Sequence, residues 1–274
     1  MLSTASAAGC TIALAGLRVA IVCENAVITA ALRDRYHQFL TDQIADVVAH
    51  IRLVEGTATT SLLDAQIDFR DGTAHFTTPG YVGSIDVAHG QAQLVIAATQ
   101  PLDAIEYFVR VIYALLAFEA GGLLFHAAGI VRRDRAYLFF GYSGSGKTTV
   151  ARCSPHDQVL NDDLVLLMPQ RNQWIAYATP FWNPTQVQPG GSSAAPLAAL
   201  LRLVQAKHVA LESIGAGYAL AELVANAPII AADPDRSARL FERCSRLALA
   251  VPCRRLHFLP DPSFWPLVET LAVP

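Results

Sequence analysis

The sequence predicts an α/β protein (α+β overall), in which a smaller, mostly antiparallel β subdomain precedes a larger α/β core. Three observations support this fold class. Short strand-like runs separated by turns fill the first hundred residues. A long helical pattern begins at Pro101, and from Leu123 apolar strand-like runs alternate with a glycine-rich loop and helical segments. We therefore expect an N-terminal α+β subdomain over 1–100, a connecting helix over 101–122 and a core with C-terminal helices over 123–274.

The first subdomain is predicted from alternating patterns and turn residues. Apolar residues at helical spacing over 28–40 predict one helix among the strands. Asp71-Gly72 is a strong hairpin turn, and His89-Gly90 predicts a second one. The predicted strands are 17–23, 47–54, 66–70, 73–77, 84–87 and 91–97.

The connecting helix and the core follow from the same kind of pattern. Proline suits the first turn of a helix because its missing N–H would have no partner there, and Gly121-Gly122 is a typical helix end. The segment 183–193 is rich in Pro and Gly and is expected to be a loop. The predicted core strands are 123–131, 136–140, 159–167, 174–181 and 253–260, and the predicted core helices are 148–153, 196–204, 219–225, 235–248 and 263–271.

Composition indicates a well-filled core and excludes some partners. The chain has 274 residues, a formal net charge of −3 and 53% hydrophobic residues. No strong basic field exists to hold nucleic acid or an anionic membrane, so neither is an expected partner. The high apolar content leaves room for a subunit interface, as in a homo-oligomer.

Location is predicted from three further features. The longest apolar stretch, 111–131, contains Glu119, two glycines and His126, so it favours a buried helix followed by a buried strand over a membrane span. The N-terminus has no basic start before its apolar residues and is a poor secretion signal. Five scattered cysteines without CxxC spacing favour a reduced, cytoplasmic chain over a disulfide framework or a zinc site.

The stretch GYSGSGKTT, Gly141–Thr149, satisfies the pattern G-x-x-x-x-G-K-[ST] between a predicted strand and a predicted helix. Glycines let successive backbone N–H groups converge on phosphate oxygens, and the helix start adds its positive dipole end. Lys147 is one of only two lysines in the chain and supplies a compact charge for the β- and γ-phosphates. The Thr148 hydroxyl can sit on a magnesium ion. The candidate nucleotide-binding residues are Gly141, Ser143, Gly144, Ser145, Gly146, Lys147, Thr148 and Thr149.

Two adjacent acids follow the loop. The helix leads away by about 12 Å and the next strand covers a similar distance at about 3.3 Å per residue, so a strand that runs back brings Asp162 and Asp163 beside the loop. Adjacent side chains on a strand point to opposite faces, so only one carboxylate enters the site directly unless the strand bulges. A carboxylate there can bind the metal, orient it through water or accept a proton. The structural alternative is a solvated Asp pair that caps a turn.

His126 lies on the predicted strand before the one that leads into the loop. If the two strands are neighbours, its side chain can reach the phosphates or a second metal. The alternative is a histidine whose ring nitrogens are satisfied in the core.

The motifs HAAGIV, YLFFGYSGSGKTT and LNDD together resemble the nucleotide-binding core shared by HPr kinase/phosphorylase and phosphoenolpyruvate carboxykinase. The resemblance covers 123–168 closely, and it extends more loosely through ATPF to the ending FLPDPSFW, which resembles small kinases related to HPr kinase. It implies an HPr-kinase-like or carboxykinase-like P-loop core that binds ATP and Mg²⁺. By resemblance to the kinases, Asp163 is the general base and Asp162 supports the metal held by Thr148. By resemblance to the carboxykinases, His126 and Asp163 bind a second metal such as Mn²⁺.

Departures from the two families narrow the implied function. The chain has about half the length of a carboxykinase, and the E-x-RG-x-G signature of HPr kinase/phosphorylase is absent, which argues against oxaloacetate chemistry and against HPr as the partner. The resemblance then implies a Mg-ATP-dependent kinase, with Lys147, Asp163 and His126 as candidate catalytic residues. Its acceptor is a hydroxyl on a peptide, a protein serine or a small molecule. The alternative is an ATP-binding regulator or scaffold without turnover, which the lack of a recognisable acceptor-binding signature favours.

Overall fold

A computed structural model describes residues 9–58, 61–181 and 187–272. The chain divides into two compact units, Met1–Leu116 and Ala117–Pro274. Residues 182–186, which include the start of the loop predicted over 183–193, lie outside the described residues.

The first unit contains one seven-stranded sheet with the strand order β1-β2-β3-β7-β6-β5-β4. Its elements are β1 Gly9–Leu14, β2 Leu17–Cys23, α1 Ala26–Arg35, a 3-10 turn His37–Phe39, β3 Val47–Ala58, a 3-10 turn Leu62–Asp64, β4 Ile67–Arg70, β5 Thr73–Thr78, β6 Tyr81–Asp86 and β7 Gln91–Ala98. Four strand pairs are antiparallel, and the turn chemistry predicted two of them, β4-β5 and β6-β7, whereas β3 pairs in parallel with both β2 and β7. The sequence predicted neither β1 nor the parallel pairs.

Turn and cap residues explain most of the local structure in this unit. Asp71 and Gly72 both have positive φ, 50° and 78°, which is the conformation of a two-residue hairpin that joins β4 to β5. The Asn25 side chain accepts hydrogen bonds from the backbone N–H groups of Val27 and Ile28. This cap starts α1 at Ala26, before the predicted start at residue 28.

The long helix α2, Pro101–Glu119, crosses the boundary between the two units. The N–H of Gly122 donates to the carbonyl of Ala117 at 2.7 Å and that of Gly121 donates to Phe118 at 3.1 Å, which is the Schellman arrangement at a helix end. Gly121 adopts φ 94°, so the glycine pair ends the helix as predicted. Within the described ranges, no helix is both long enough and apolar enough to cross a membrane.

The second unit contains an eight-stranded sheet with the order β10-β8-β11-β12-β13-β15-β14, in which β9 pairs with β8 and β13. Its strands are β8 Leu123–Arg132, β9 Arg135–Phe140, β10 Gln158–Asn161, β11 Leu164–Gln170, β12 Gln173–Tyr177, β13 Ala194–Gln205, β14 Ala210–Ser213 and β15 Cys253–Phe258. Its helices are α3 Lys147–Arg152, α4 Ala216–Ala225, α5 Pro228–Ala231, α6 Ser237–Ala250 and α7 Trp265–Glu269, with 3-10 turns at Pro234–Arg236, Pro262–Phe264 and Thr270–Ala272. The chain is therefore a mixed α/β protein with two sheets.

One core helix was predicted wrongly. The segment 196–204 is part of the strand β13, which pairs in parallel with β9 and β15 and antiparallel with β12. A strand with neighbours on both sides and both faces covered reads as one continuous apolar run, so the 3.6-residue and two-residue periods cannot be told apart. The alanines and leucines of PLAALLRLV then favour a helix on intrinsic propensity alone.

The core of the second unit fixes the start of α3 against the sheet. Val150 is buried among residues of β8, β9, β13 and β15. Phe139 on β9 contacts Phe264 and Trp265 edge to face, at ring-centroid distances of 5.8 and 5.6 Å. The indole N–H of Trp265 donates to the Ser154 hydroxyl at 2.9 Å, just after α3. These contacts hold α3 and the loop before it in one place on the sheet.

Candidate functional site

The glycine-rich loop lies between the end of β9 at Phe140 and the start of α3 at Lys147, as predicted. Gly144 and Gly146 have φ of 80° and 108°, a region that L-residues with side chains rarely adopt. A Cβ atom on Gly146 would lie 2.5 Å from Cζ of Phe258, so this position also needs the absence of a side chain. Gly141 is similarly confined, because a Cβ there would lie 2.9 Å from the Ser145 hydroxyl oxygen.

Lys147 is almost fully buried beneath this loop. Its ammonium group donates hydrogen bonds to the carbonyls of Gly141 at 3.0 Å and Tyr142 at 3.3 Å. Burial lowers the pKa of Lys147, while the nearby carboxylates of Asp163 and Asp162 raise it. Lys147 therefore links the end of the loop to its beginning by hydrogen bonds, and it lines the same cavity as Asp162 and Asp163.

A bend, not a continuous strand, carries the two acids. The strand predicted over 159–167 is divided into β10 and β11, which pair with successive parts of β8. The pairing of β10 with β8 has a register shift between Val159 and Asn161. Asn161 is fully buried, and its side-chain oxygen accepts the N–H groups of Asp163 at 2.7 Å and Leu164 at 2.9 Å. This local turn removes the alternation of an extended strand, so both carboxylates face the same side.

Asp162 is the more buried acid, with 1% of its surface exposed. Its Oδ2 accepts a hydrogen bond from the N–H of Val187 at 3.3 Å, and its Oδ1 has no hydrogen-bond partner among the described residues. Burial raises the pKa of this carboxyl, and a hydrogen bond from the Thr148 hydroxyl opposes that rise. A buried carboxylate oxygen without a donor is an acceptor that a cation can satisfy.

Asp163 is paired with His126. The Nε2 atom of His126 lies 3.1 Å from Oδ1 of Asp163, and the two side chains are 33% and 22% exposed. The pair forms because His126 on β8 stands opposite Leu164 on β11, next to Asp163. The backbone N–H of His126 donates to the carbonyl of Asn226 at 2.8 Å, so the end of α4 also holds this part of β8 in place.

The cavity that these residues form has a volume of about 280 Å³. Its lining residues are His126, Ser143, Gly144, Gly146, Lys147, Thr148, Thr149, Asp162, Asp163 and Gln205. The structure thus brings together both acids, the histidine and most of the predicted loop residues. Gly141 and Ser145 also belong to the loop, but both are buried and do not line the cavity.

Gln205 is the lining residue that the sequence analysis missed. It is the last residue of β13, and its side-chain NH₂ group donates to the carbonyl of Gly144 at 2.8 Å. Because β13 runs parallel to β9, its end lies at the edge of the sheet where the loop begins. Recognising 196–204 as a strand would have predicted this position.

The residues around the cavity suit a magnesium ion that also binds substrate phosphates and water. Within the described part of the chain, they do not form a site that holds a metal by protein side chains alone. Over the described ranges there is no group of three or more His, Cys, Asp or Glu side chains arranged to hold a metal. Magnesium is usually held by one or two carboxylates together with water and substrate phosphates. The residues available for this are Thr148 and Asp162, whose Oδ1 lacks a donor in the described part of the chain, with Asp163 beside them. His126 and Asp163, the pair that the carboxykinase resemblance implied for a second metal, lie 3.1 Å apart, and no third His, Cys, Asp or Glu of the described residues joins them in a metal-holding group.

Fold and cavity together define a mixed α/β protein with a glycine-rich turn next to two acids. The family model described as "SynChlorMet cassette protein ScmC" matches residues 98–273. Because this match spans more than half of the sequence, the chain belongs to the ScmC family. A search of curated proteins gave no significant match.

Among solved structures, the chain is similar to the Hpr(Ser) kinase/phosphatase from Coxiella burnetii. The identity is 15%, the match covers 54% of this chain and 92% of the other, and the TM-score is 0.27. At that TM-score the likeness carries no argument about activity, which has to rest on the site itself.

Proposed function

We propose that the protein is an ATP-dependent phosphotransferase that moves the γ-phosphate of ATP to a hydroxyl group on a peptide, a protein serine or a small molecule. The observation that carries this proposal is the bend at Asn161, which turns Asp162 and Asp163 into the cavity that Lys147 and the loop also line. Phosphoryl transfer needs a positive cradle for the phosphates and a carboxylate near the attacking hydroxyl. This cavity offers both.

The loop and Lys147 form the phosphate side of the site. Backbone N–H groups of 143–148 and the start of α3 would hold the phosphate oxygens. The ammonium of Lys147, which now donates to the Gly141 and Tyr142 carbonyls, would turn to the β- and γ-phosphates. Thr148 and Asp162 would hold Mg²⁺, which neutralises charge on the phosphates when bound. Lys147 and the loop amides would orient the γ-phosphate towards the acids.

Asp163 and His126 form the acceptor side. A carboxylate at this place can accept the proton of the incoming hydroxyl as that oxygen bonds to phosphorus. His126, donating from Nε2, would hold Oδ1 of Asp163 and so orient the carboxylate. The proton moves from the acceptor hydroxyl to Asp163, and the leaving group is ADP.

Isothermal titration with ATP and Mg²⁺ is the first test, followed by mass spectrometry of peptides and small hydroxyl compounds incubated with both. We expect saturable Mg-dependent ATP binding and a mass gain of one phosphoryl group on an acceptor. Asp163→Asn should retain ATP binding and lose transfer, since it removes the base and keeps the size of the side chain. Asp162→Asn should weaken Mg-dependent binding itself.

The outcomes separate the two candidate functions. Absence of ATP binding by the wild-type protein would refute the proposal. Saturable binding with neither transfer nor slow hydrolysis of ATP, and with Asp163→Asn indistinguishable from wild type, would instead favour an ATP-binding regulator.

A further inference from the structure

A second cavity, of about 340 Å³, lies at the turn between β11 and β12 and beside the second half of α6. It shares no lining residue with the candidate nucleotide site. The turn is about 20 Å along β11 from the bend at Asp163, at about 3.3 Å per residue. The side chains that matter for its chemistry are Arg171, Asn172, Gln173, Trp174, Arg243 and Arg246.

Three arginines line this cavity, and no aspartate or glutamate does. Within the described ranges, neither Arg171 nor Arg243 has a carboxylate within ion-pair distance. Arg246 pairs with Glu242 on the surface of α6, where the two side chains are 72% and 61% exposed. Such an exposed pair contributes little to stability and exchanges readily with another anion. Set against that one surface pair, the three arginines leave the cavity lining with an excess of positive charge.

Arg243 is held in a fixed position at the cavity wall. Its Nη1 donates to the carbonyl of Gly122 at 3.0 Å and to that of Phe118, and its guanidinium lies 4.0 Å from the centre of the Phe118 ring. Burial lowers the pKa of Arg243 and the nearby Arg239 lowers it further, while Glu119 acts in the opposite direction. A bound anion would relieve both effects, because it would offset the burial and the repulsion.

Arg171 occupies an unfavourable backbone conformation at the same cavity. It has φ 52° in the two-residue turn between β11 and β12, where Asn, Asp or Gly is preferred. Asn172 and Gln173 follow it and add amide donors, while Trp174 forms part of the wall. A planar guanidinium beside amide donors matches carboxylate or phosphate oxygens in pairs.

We propose that this arginine cavity binds the carboxylate or phosphate group of a small anionic molecule. The volume is that of a small-molecule site rather than of a protein interface. The three arginines and the amides take the oxyanion, and the wall that Trp174 forms takes the rest of the ligand. This site is independent of the phosphotransferase proposed above.

Titration calorimetry with inorganic phosphate and with citrate tests the site, on the full chain and at an ionic strength matched with chloride. The variants are Arg171→Gln and Arg246→Gln. The matched control is Arg135→Gln, because Arg135 is an exposed arginine at another hairpin, between β8 and β9, and is not a cavity residue. Lys147→Met is measured in parallel, since its loop is a competing place for phosphate.

We expect saturable binding of at least one of the two anions, with the preferred one showing whether the site takes phosphate or carboxylate. Each cavity variant should bind about tenfold more weakly, the usual effect of losing one charged hydrogen-bonding partner. Arg135→Gln should bind like wild type, and Lys147→Met should keep the binding that the two cavity variants weaken. The proposal is overturned if neither anion binds, if both cavity variants bind normally, or if Lys147→Met abolishes binding. Circular dichroism establishes that each variant is folded, and Arg243→Lys, which keeps the charge but not the paired donors, serves if Arg171→Gln does not fold.

Discussion

Replacing Gly146 with alanine should destabilise the second unit by roughly 2–5 kcal/mol, the sum of two separate effects. The backbone at Gly146 has φ 108°, and holding a residue with a Cβ atom in left-handed space costs about 1–2 kcal/mol. The new Cβ would also lie 2.5 Å from Cζ of Phe258. That ring is 2% exposed and packs edge to face on Phe264, so it cannot move freely. Overpacking of this kind costs about 1–3 kcal/mol.

Gly144 provides the matched control for the first effect. It has φ 80°, and a Cβ there meets nothing within 4 Å, so Gly144→Ala should cost only about 1–2 kcal/mol. Any loss of unfolded-state entropy on Gly→Ala is common to both variants and cancels in the comparison. The difference between the two variants therefore isolates the contact with Phe258.

Urea unfolding followed by tryptophan fluorescence measures these costs in the second unit. All three tryptophans of the chain lie within 117–274, so the signal reports that unit even if the two units unfold separately. In a Phe258→Leu background, Gly146→Ala should cost about 1–3 kcal/mol less than in the wild type, because the clash is relieved. Equal destabilisation by Gly144→Ala and Gly146→Ala, or no coupling to Phe258→Leu, would refute the steric reasoning.

Three further predictions concern polar groups around the loop. Asp162→Asn should stabilise the ligand-free protein by about 1 kcal/mol at neutral pH, because burial raises the pKa of this carboxyl and its ionised form is disfavoured in the fold. Because the pKa is raised in the folded state, the wild-type protein should lose stability as pH rises through that pKa. The stability gained by Asp162→Asn should therefore vanish at acid pH. Urea unfolding across pH checks this, and a gain independent of pH would contradict it. Ser154→Ala should cost about 1–3 kcal/mol in the same unfolding assay, since it leaves the buried indole N–H of Trp265 without its acceptor; a neutral effect would show that the bond is dispensable. Gln205→Ala removes the hydrogen bond to the Gly144 carbonyl and should weaken ATP binding in calorimetry by about two- to tenfold while leaving the unfolding midpoint nearly unchanged. Loss of stability without loss of affinity would assign Gln205 a purely structural role.

The strand–loop–helix around Lys147 could be predicted because its determinants are local. Gly144 and Gly146 have the backbone angles that favour glycine, and α3 starts at Lys147. The hairpin at Asp71-Gly72 and the end of α2 at Gly121-Gly122 were predicted for the same reason. In each case a glycine fixes the backbone, and its requirement is visible in the sequence without knowledge of any distant contact.

The strand β13 could not be predicted because its determinants are distant. The segment 196–204 within it satisfies a helix on local propensity, and only pairing with β9, β12 and β15 makes the extended form favourable. The wrong prediction also affects the candidate site, because Gln205 at the end of β13 donates a hydrogen bond to the loop and was not recognised as a lining residue. Tertiary pairing therefore decides both the element and one lining residue.

The bend at Asn161 shows how a local residue can decide a question that the strand pattern leaves open. As an ideal strand, 159–167 would place one carboxylate in the site and the other on the opposite face. Asn161 prevents this, because its oxygen binds the N–H groups of Asp163 and Leu164 while its NH₂ donates to the carbonyl of Thr179 at 3.0 Å. The hydroxyl of Thr179 in turn donates to the carbonyl of Leu164 at 2.6 Å, so the turn is fixed from two sides. In LNDD the asparagine is therefore the residue that makes both acids available to one cavity, through an Asx turn that the sequence analysis did not predict.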